Sequence, residues 1–202
     1  MIYADSSFVV FFITSCSKYV VTSYSAISGN SAYCVDVALD KNEDIIICYK
    51  DFANKNRLSA KKIKDGQVGY LGKPAFSDMD CLLNKILVTS SNAIFVAYSD
   101  YSVYNRLTVN KYFNGKWEVV EYKGISDNKI ENVDIASDRE GNIYVVYAEK
   151  KDMFLKIFKN DQWILIYKFS ISFESFDSIS DSVKLLFWYN NPVIIYIDPD
   201  EG

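Results

Sequence analysis

Four acidic residues recur at even spacing along the chain: Asp51, Asp100, Glu149 and Asp198 stand 49 residues apart. Each follows by two positions a tyrosine of the series Tyr49, Tyr98, Tyr147 and Tyr196, and Tyr3 with Asp5 makes a truncated fifth copy. Carboxylates repeated in this way offer two chemistries. A ring of oxygen ligands can hold a hard cation such as Ca²⁺, and two carboxylates at a fitting separation can hydrolyse a glycosidic bond. Their structural use is to accept backbone N–H groups in their own turns, or to pair across a hairpin with Arg57 or Arg106. A residue repeated with every unit serves what every unit needs. The structural use is therefore the expected one, no resident cofactor or metal is expected, and Ca²⁺ is kept as the alternative. Asp78, Asp80, Asp127, Glu131, Glu174, Asp177 and Asp181 add to the same acidic face.

Phe52 and Tyr101 directly follow two of the repeated acids, with Asn54, Asn56, Tyr104 and Asn105 close behind. Aromatic rings beside amides can stack on a sugar face and bond its hydroxyls. The candidate ligand-binding set is Asp51, Phe52, Arg57, Asp100, Tyr101, Arg106, Glu149 and Asp198. No catalytic residue is assigned, because the chain has no histidine, the commonest general base and metal ligand. A sialidase-like clamp of three arginines is also excluded. The three present are Arg57, Arg106 and Arg139, and the last falls in a turn at the opposite end of the strands.

Composition narrows the partners. With 22 basic residues against 26 acidic ones the chain lacks the basic stripe that a phosphate backbone requires, so no nucleic acid is expected. Lys61, Lys62 and Lys64 form the densest basic cluster and read as a solvated strand face. Cys16, Cys34, Cys48 and Cys81 show no CxxC spacing and read as small buried hydrophobes in a reducing compartment. The apolar run Phe8–Ile13 before Thr14-Ser15-Cys16 is similar to a lipoprotein signal, but no Lys or Arg precedes it and Asp5 does. A cytoplasmic protein with no membrane partner is the expectation.

The elements that position these residues follow from further markers. Arg57-Leu58-Ser59 and Arg106-Leu107-Thr108 open equivalent runs; Tyr19, Val68, Trp117 and Trp163 begin the next. Nine residues after each of those comes a serine behind an apolar residue: Ser28, Ser77, Ser126 and Ser172. Each unit thus holds four strands, A to D, exemplified by Val133–Ser137, Ile143–Glu149, Met153–Lys159 and Trp163–Phe169. The near-continuous apolar character of the B strands predicts cover on both faces. The tyrosine series, Trp117, Trp163 and Trp188 are expected in the packing between units.

Units of 46 to 49 residues with four strands apiece predict an all-β, four-bladed β-propeller. The sequence resembles bacterial repeat propellers, in which a turn such as Asp138-x-x-Gly141-Asn142-Ile143-Tyr144-Val145 joins the first two strands and an Asn-Gly-x-Trp turn, as at Asn114–Trp117, joins the last two. The resemblance implies a fold and no activity, and no copy has the Ser-x-Asp-x-Gly-x-x-Trp order of a sialidase Asp-box. One domain over residues 1–202 is expected, with units at about 31–77, 78–126 and 127–173. The fourth, 174–202 plus 1–30, is closed by strands from both termini, which removes open sheet edges. An arc of a larger propeller is the alternative. The function expected is a non-enzymatic scaffold binding a protein or glycan through one loop face. A carbohydrate-active hydrolase or lyase using paired carboxylates, or a structural fragment of a larger repeat protein, are its rivals.

Overall fold

A computed structural model describes residues 7–14, 18–25, 27–28, 31–170 and 183–197, and of residues 7–25 it describes the backbone course. The described chain is all-β. A first hairpin, β1 (Ser7–Thr14) and β2 (Lys18–Ser25), precedes three four-stranded antiparallel meanders. These are β3 (Ala32–Leu39), β4 (Ile45–Asp51), β5 (Arg57–Lys64) and β6 (Gln67–Tyr70); then β7 (Cys81–Val88), β8 (Ile94–Asp100), β9 (Arg106–Phe113) and β10 (Lys116–Val119); then β11 (Asn132–Ser137), β12 (Ile143–Glu149), β13 (Asp152–Lys159) and β14 (Gln162–Ser170). A second hairpin, β15 (Val183–Trp188) and β16 (Asn191–Tyr196), follows. Among the described residues no helix is long and apolar enough to cross a membrane.

The second strand of each sheet carries the fold. β4, β8 and β12 are runs of Ile, Val, Phe and Tyr, types that suit a pleated surface, and nearly every residue in them is buried. Alternation along β4 sends Ile46 and Cys48 against Ile86, Ile94, Val96 and Tyr98 of the second sheet. Ile45, Ile47 and Tyr49 face the other way and enclose Ile27. In the same manner Phe95 and Ala97 meet Val133, Ile135, Val145 and Tyr147 of the third sheet, and Val146 and Ala148 meet Val183 and Leu185 of β15. Sheets stack face to face in chain order, and the first strands β3, β7, β11 and β15 run side by side.

Tyr49, Tyr98 and Tyr147 are fully buried, as expected of packing residues, and each such ring contributes about 1.5–3 kcal/mol. Trp163 is buried, with its indole N–H donated to the Val120 carbonyl, and Trp117 stacks on Phe76 at 4.4 Å. Trp188 departs from expectation: it is 69% exposed at the end of β15. Tyr33, Val37 and Leu39 of β3 are similarly exposed, so apolar surface faces outward at both ends of the stack. Among the described residues β1–β2 and β15–β16 each form a separate two-stranded sheet, without the β16–β1 ladder that the strand count calls for.

The lysine cluster is also less solvated than its composition implies. Lys62 pairs with both Asp40 and Asp44 at 2.7 Å, and Lys61 donates to the Ile27 carbonyl. Only Lys64 is exposed. Cys48 and Cys81 are buried free thiols, whereas Cys34 is exposed in the β3 bulge and its thiol donates to the Leu82 carbonyl.

Candidate functional site

The repeated acids close the second strands. Asp51 and Asp100 end β4 and β8, and each is followed by a single 3-10 turn, Phe52–Asn54 or Tyr101–Val103. Two residues in the left-handed region then bring the chain back: Lys55 and Asn56 in the first loop, Tyr104 and Asn105 in the second. The Asn56 and Asn105 N–H groups donate to the Asp51 and Asp100 carbonyls, both at 2.9 Å. Asn adopts this backbone readily, so its place in both loops is explained locally.

Inside each loop the carboxylate is buried and accepts hydrogen bonds, through both oxygens at Asp100 and through Oδ2 alone at Asp51, whose Oδ1 is buried without a partner among the described residues. Asp51 Oδ2 accepts from Asn54 Nδ2 at 2.8 Å and from Ser59 Oγ at 2.9 Å. Asp100 Oδ1 accepts from the Ser102 N–H at 2.9 Å and its hydroxyl at 2.6 Å, while Oδ2 accepts from Thr108 Oγ1 and lies 3.7 Å from Lys123 Nζ. Glu149 ends β12 and reaches back instead, accepting from the Asp127 N–H at 2.9 Å and Asn128 Nδ2 at 2.8 Å. Asp198 lies outside the described residues, as do Glu174, Asp177 and Asp181.

The arginines brace the same loops. Arg57 Nε donates to the Ser77 carbonyl at 2.6 Å, and Arg106 Nε to the Val103 carbonyl at 3.1 Å. The Arg106 guanidinium fills the space above Gly124, where a Cβ would meet it at 3.0 Å. The recurrent serines are bracing residues too. Ser77 Oγ accepts the Leu58 N–H and donates to the Met79 carbonyl, and Ser126 Oγ does the same with the Leu107 N–H and the Asn128 carbonyl. Asp80 pairs with Lys50 at 2.7 Å, and Lys123 bridges Asp78 towards Asp100. Among the described residues no three acids or thiols are grouped as a metal would require.

What remains open to a ligand is aromatic. Phe52, Tyr101 and Tyr104 are 59%, 56% and 85% exposed. Phe52 and Tyr101 occupy the same position in consecutive loops, each held by its N–H, to the Ser31 and Asp80 carbonyls respectively. The third sheet differs, because only Lys150 and Lys151 join β12 to β13 where five residues serve in the other two. Beside the shortened connection lies an open pocket of about 600 Å³, with Asp127, Asn128, Glu149, Lys150, Asp152 and Lys168 among its walls. The Asn105 carbonyl accepts the Ile130 N–H at 3.0 Å, so the Tyr101–Asn105 loop borders the connection that forms one wall of that pocket. The pocket was not foreseen from sequence, although the shorter connection beside it is visible there as the two residues between Glu149 and Asp152.

No protein-family model matches the chain, and no curated protein matches it in sequence. Among solved structures it is similar to a triple arginine-to-alanine mutant of AofleA from Arthrobotrys oligospora, with a TM-score of 0.52 and 8% identity over 85% of this chain and 56% of that one. A bifunctional GH43-CE protein of Bacteroides eggerthii gives 0.48 at 12% identity, over 81% of this chain and 23% of that one. A protein of unknown function from Dyadobacter fermentans gives 0.45 at 12% identity, over 85% and 43%. The chain spans little more than half the length of the first of these, and at 8% identity the likeness is one of fold.

Proposed function

We propose that this chain is a four-bladed β-propeller, closed by its terminal strands, that binds a glycan without transforming it. The ligand lies along the loop face, stacked on Phe52, Tyr101 and Tyr104 and reaching the pocket beside Asn128 and Glu149. One observation carries this reading: at neighbouring positions of the same loops the carboxylates are fully buried and hold their own loops by hydrogen bonds, while the aromatic rings stand in solvent. A general acid or nucleophile needs a carboxyl that substrate can touch; Asp51 and Asp100 are sealed from it, and in the pocket Glu149 is held by the Asp127 N–H and Asn128 Nδ2 and Asp152 by Ser170 and Lys168. A sugar-binding surface needs rigid rings with polar groups nearby; Phe52, Tyr101 and Tyr104 supply the rings, and Asn54 and Asn128 lie beside them with their Nδ2 groups fixed by Asp51 and Glu149.

A glycan array probed with the intact chain, followed by titration of the best ligand, tests the proposal. Phe52→Ala and Tyr101→Ala should each weaken binding about 10-fold, the equivalent of about 1.4 kcal/mol, with melting temperatures close to that of the parent. Unchanged affinity in both variants, or release of reducing ends from the bound glycan, would overturn it. Binding to a protein and to no glycan would move the same surface to a different ligand class and overturn the glycan assignment.

A further inference from the structure

One ladder position on the first strands carries charges that alternate in sign. Asp36 on β3 pairs with Cys48, Lys85 on β7 with Ala97, Asp134 on β11 with Val146, and Lys184 on β15 with Ile195. The partner positions recur every 49 residues, so the four charged residues are equivalent. Asp36 Oδ2 accepts the Ile86 N–H of β7 at 2.7 Å, and Asp134 Oδ2 accepts the Leu185 N–H of β15 at 2.8 Å. At the far end of the same strands the Lys41 N–H donates to Asn92 Oδ1 at 3.0 Å and the Arg139 N–H to Asn190 Oδ1 at 3.3 Å. The junction of the first sheet with the second is therefore built like that of the third with β15–β16. The chain repeats in pairs of units.

The junction between the second and third sheets is of another kind. Lys85, only 9% exposed, precedes Asp134 around the stack. Burial raises the Asp134 carboxyl, and the Leu185 N–H, Lys184, the Ile135 N–H and Lys85 all act against that rise, so both lysines are electrostatic neighbours of it. On the outer side of this junction Lys156 Nζ donates to the Ile125 carbonyl at 2.7 Å, and Ile125 packs with Ile143, Val145 and Tyr147. The first sheet has the matching half of such a junction. Lys61 donates to the Ile27 carbonyl, and Ile27 packs with Ile45, Ile47 and Tyr49. Residue 27 thus sits on the first sheet as residue 125 sits on the third, and β1–β2 leads directly into it. What this seam lacks is the inner pair. Lys184 is exposed, and Tyr33, Val37 and Leu39 beside Asp36 are uncovered.

We propose that β1–β2 completes β15–β16 into a fourth sheet and that Lys184 ion-pairs with Asp36 across the seam, closing a ring of four charges alternating in sign. The occupant of the open face is this chain's own N-terminal hairpin. Alternation closes without a like-charge neighbour only when the number of units is even, and the two hairpins supply the strands of one further sheet. This inference rests on the four-bladed reading above and adds the residues that enforce it.

A double-mutant cycle with Asp36→Asn and Lys184→Met tests it, together with the native mass of the full chain. Asn at position 36 keeps the oxygen that accepts the Ile86 N–H, so the cycle reads the ion pair. Each single change should lower the melting temperature by about 2–4 °C, with the double variant losing no more than the worse single, and the mass should be that of one 23.1 kDa chain. Additive losses overturn the ion pair, and a two-chain mass overturns closure within one chain. Both substitutions leave Phe52 and Tyr101 untouched, so glycan titration of the same variants separates failure of the seam from failure of the binding reading.

Discussion

Burying a carboxylate is costly unless donors meet it, and the acids of the turns between first and second strands show how the cost is met. Asp40 and Asp138 begin the turns between first and second strands. Asp40 Oδ1 accepts the Asn42 and Asp44 N–H groups, and Asp138 Oδ1 accepts those of Glu140 and Asn142. Burial pushes both carboxyls up, but the donors outweigh it: Lys62 with the two N–H groups at Asp40, and the Asn142 side chain and backbone with Tyr144 and Glu140 at Asp138. Both therefore sit below the ordinary 3.8. A depressed carboxyl contributes stability that is complete above its unfolded value and is lost as pH falls through the folded one. Urea midpoints should hold down to about pH 4 and fall below it, and an Asp40→Asn, Asp138→Asn double variant should be weaker at neutral pH with a flatter acid limb. An unchanged acid limb would remove these turns from the account of acid stability. The Asp138–Asn142 turn was legible because its partners are within four residues. At Asp51 and Asp100 only half of the partners were within such reach: Asn54 and Ser102 lie in the same loops, whereas Ser59 and Thr108 lie eight residues away on the next strand.

At the scale of elements, strand positions were readable nearly to the residue in the third sheet, where Ile143–Glu149 is both the expected and the observed strand. Period and turn residues suffice for that, because neighbouring strands are joined by short hairpins and each ladder is local. The serine markers show where reading stopped short. Their spacing was visible, but their work was not, because Ser126 acts on Leu107, 19 residues earlier. Ser126→Ala leaves the buried Leu107 N–H without its acceptor, and should cost about 1–3 kcal/mol in chemical denaturation with an unchanged m value; a neutral variant would show that the connection is held by packing alone. Trp188 was misplaced as well. It lies at the end of β15, the last of the first strands among the described residues, and stands 69% exposed there.

On the scale of the whole molecule, comparing one unit with the next hides what comparing alternate units reveals. Asp36 and Asp134 match each other, as do Lys85 and Lys184, but a search for residues common to all four units discards them as variable. The acidic series survived that search because each of its described members serves its own loop or an adjoining connection. In the function proposed above, binding falls to side chains that need no counterpart in every unit, such as Phe52 and Tyr101, and to the pocket beside the shortened connection. Adjacent residues Asp100 and Tyr101 separate these two roles most directly. Melting and ligand titration of Asp100→Ala and Tyr101→Ala should give opposite outcomes: a loss of about 2–3 kcal/mol in stability with retained affinity for Asp100→Ala, and retained stability with about 10-fold weaker binding for Tyr101→Ala. A stable Asp100→Ala protein that no longer binds, beside a Tyr101→Ala protein that binds normally, would contradict the assignment of carboxylates to the scaffold and aromatic rings to the ligand.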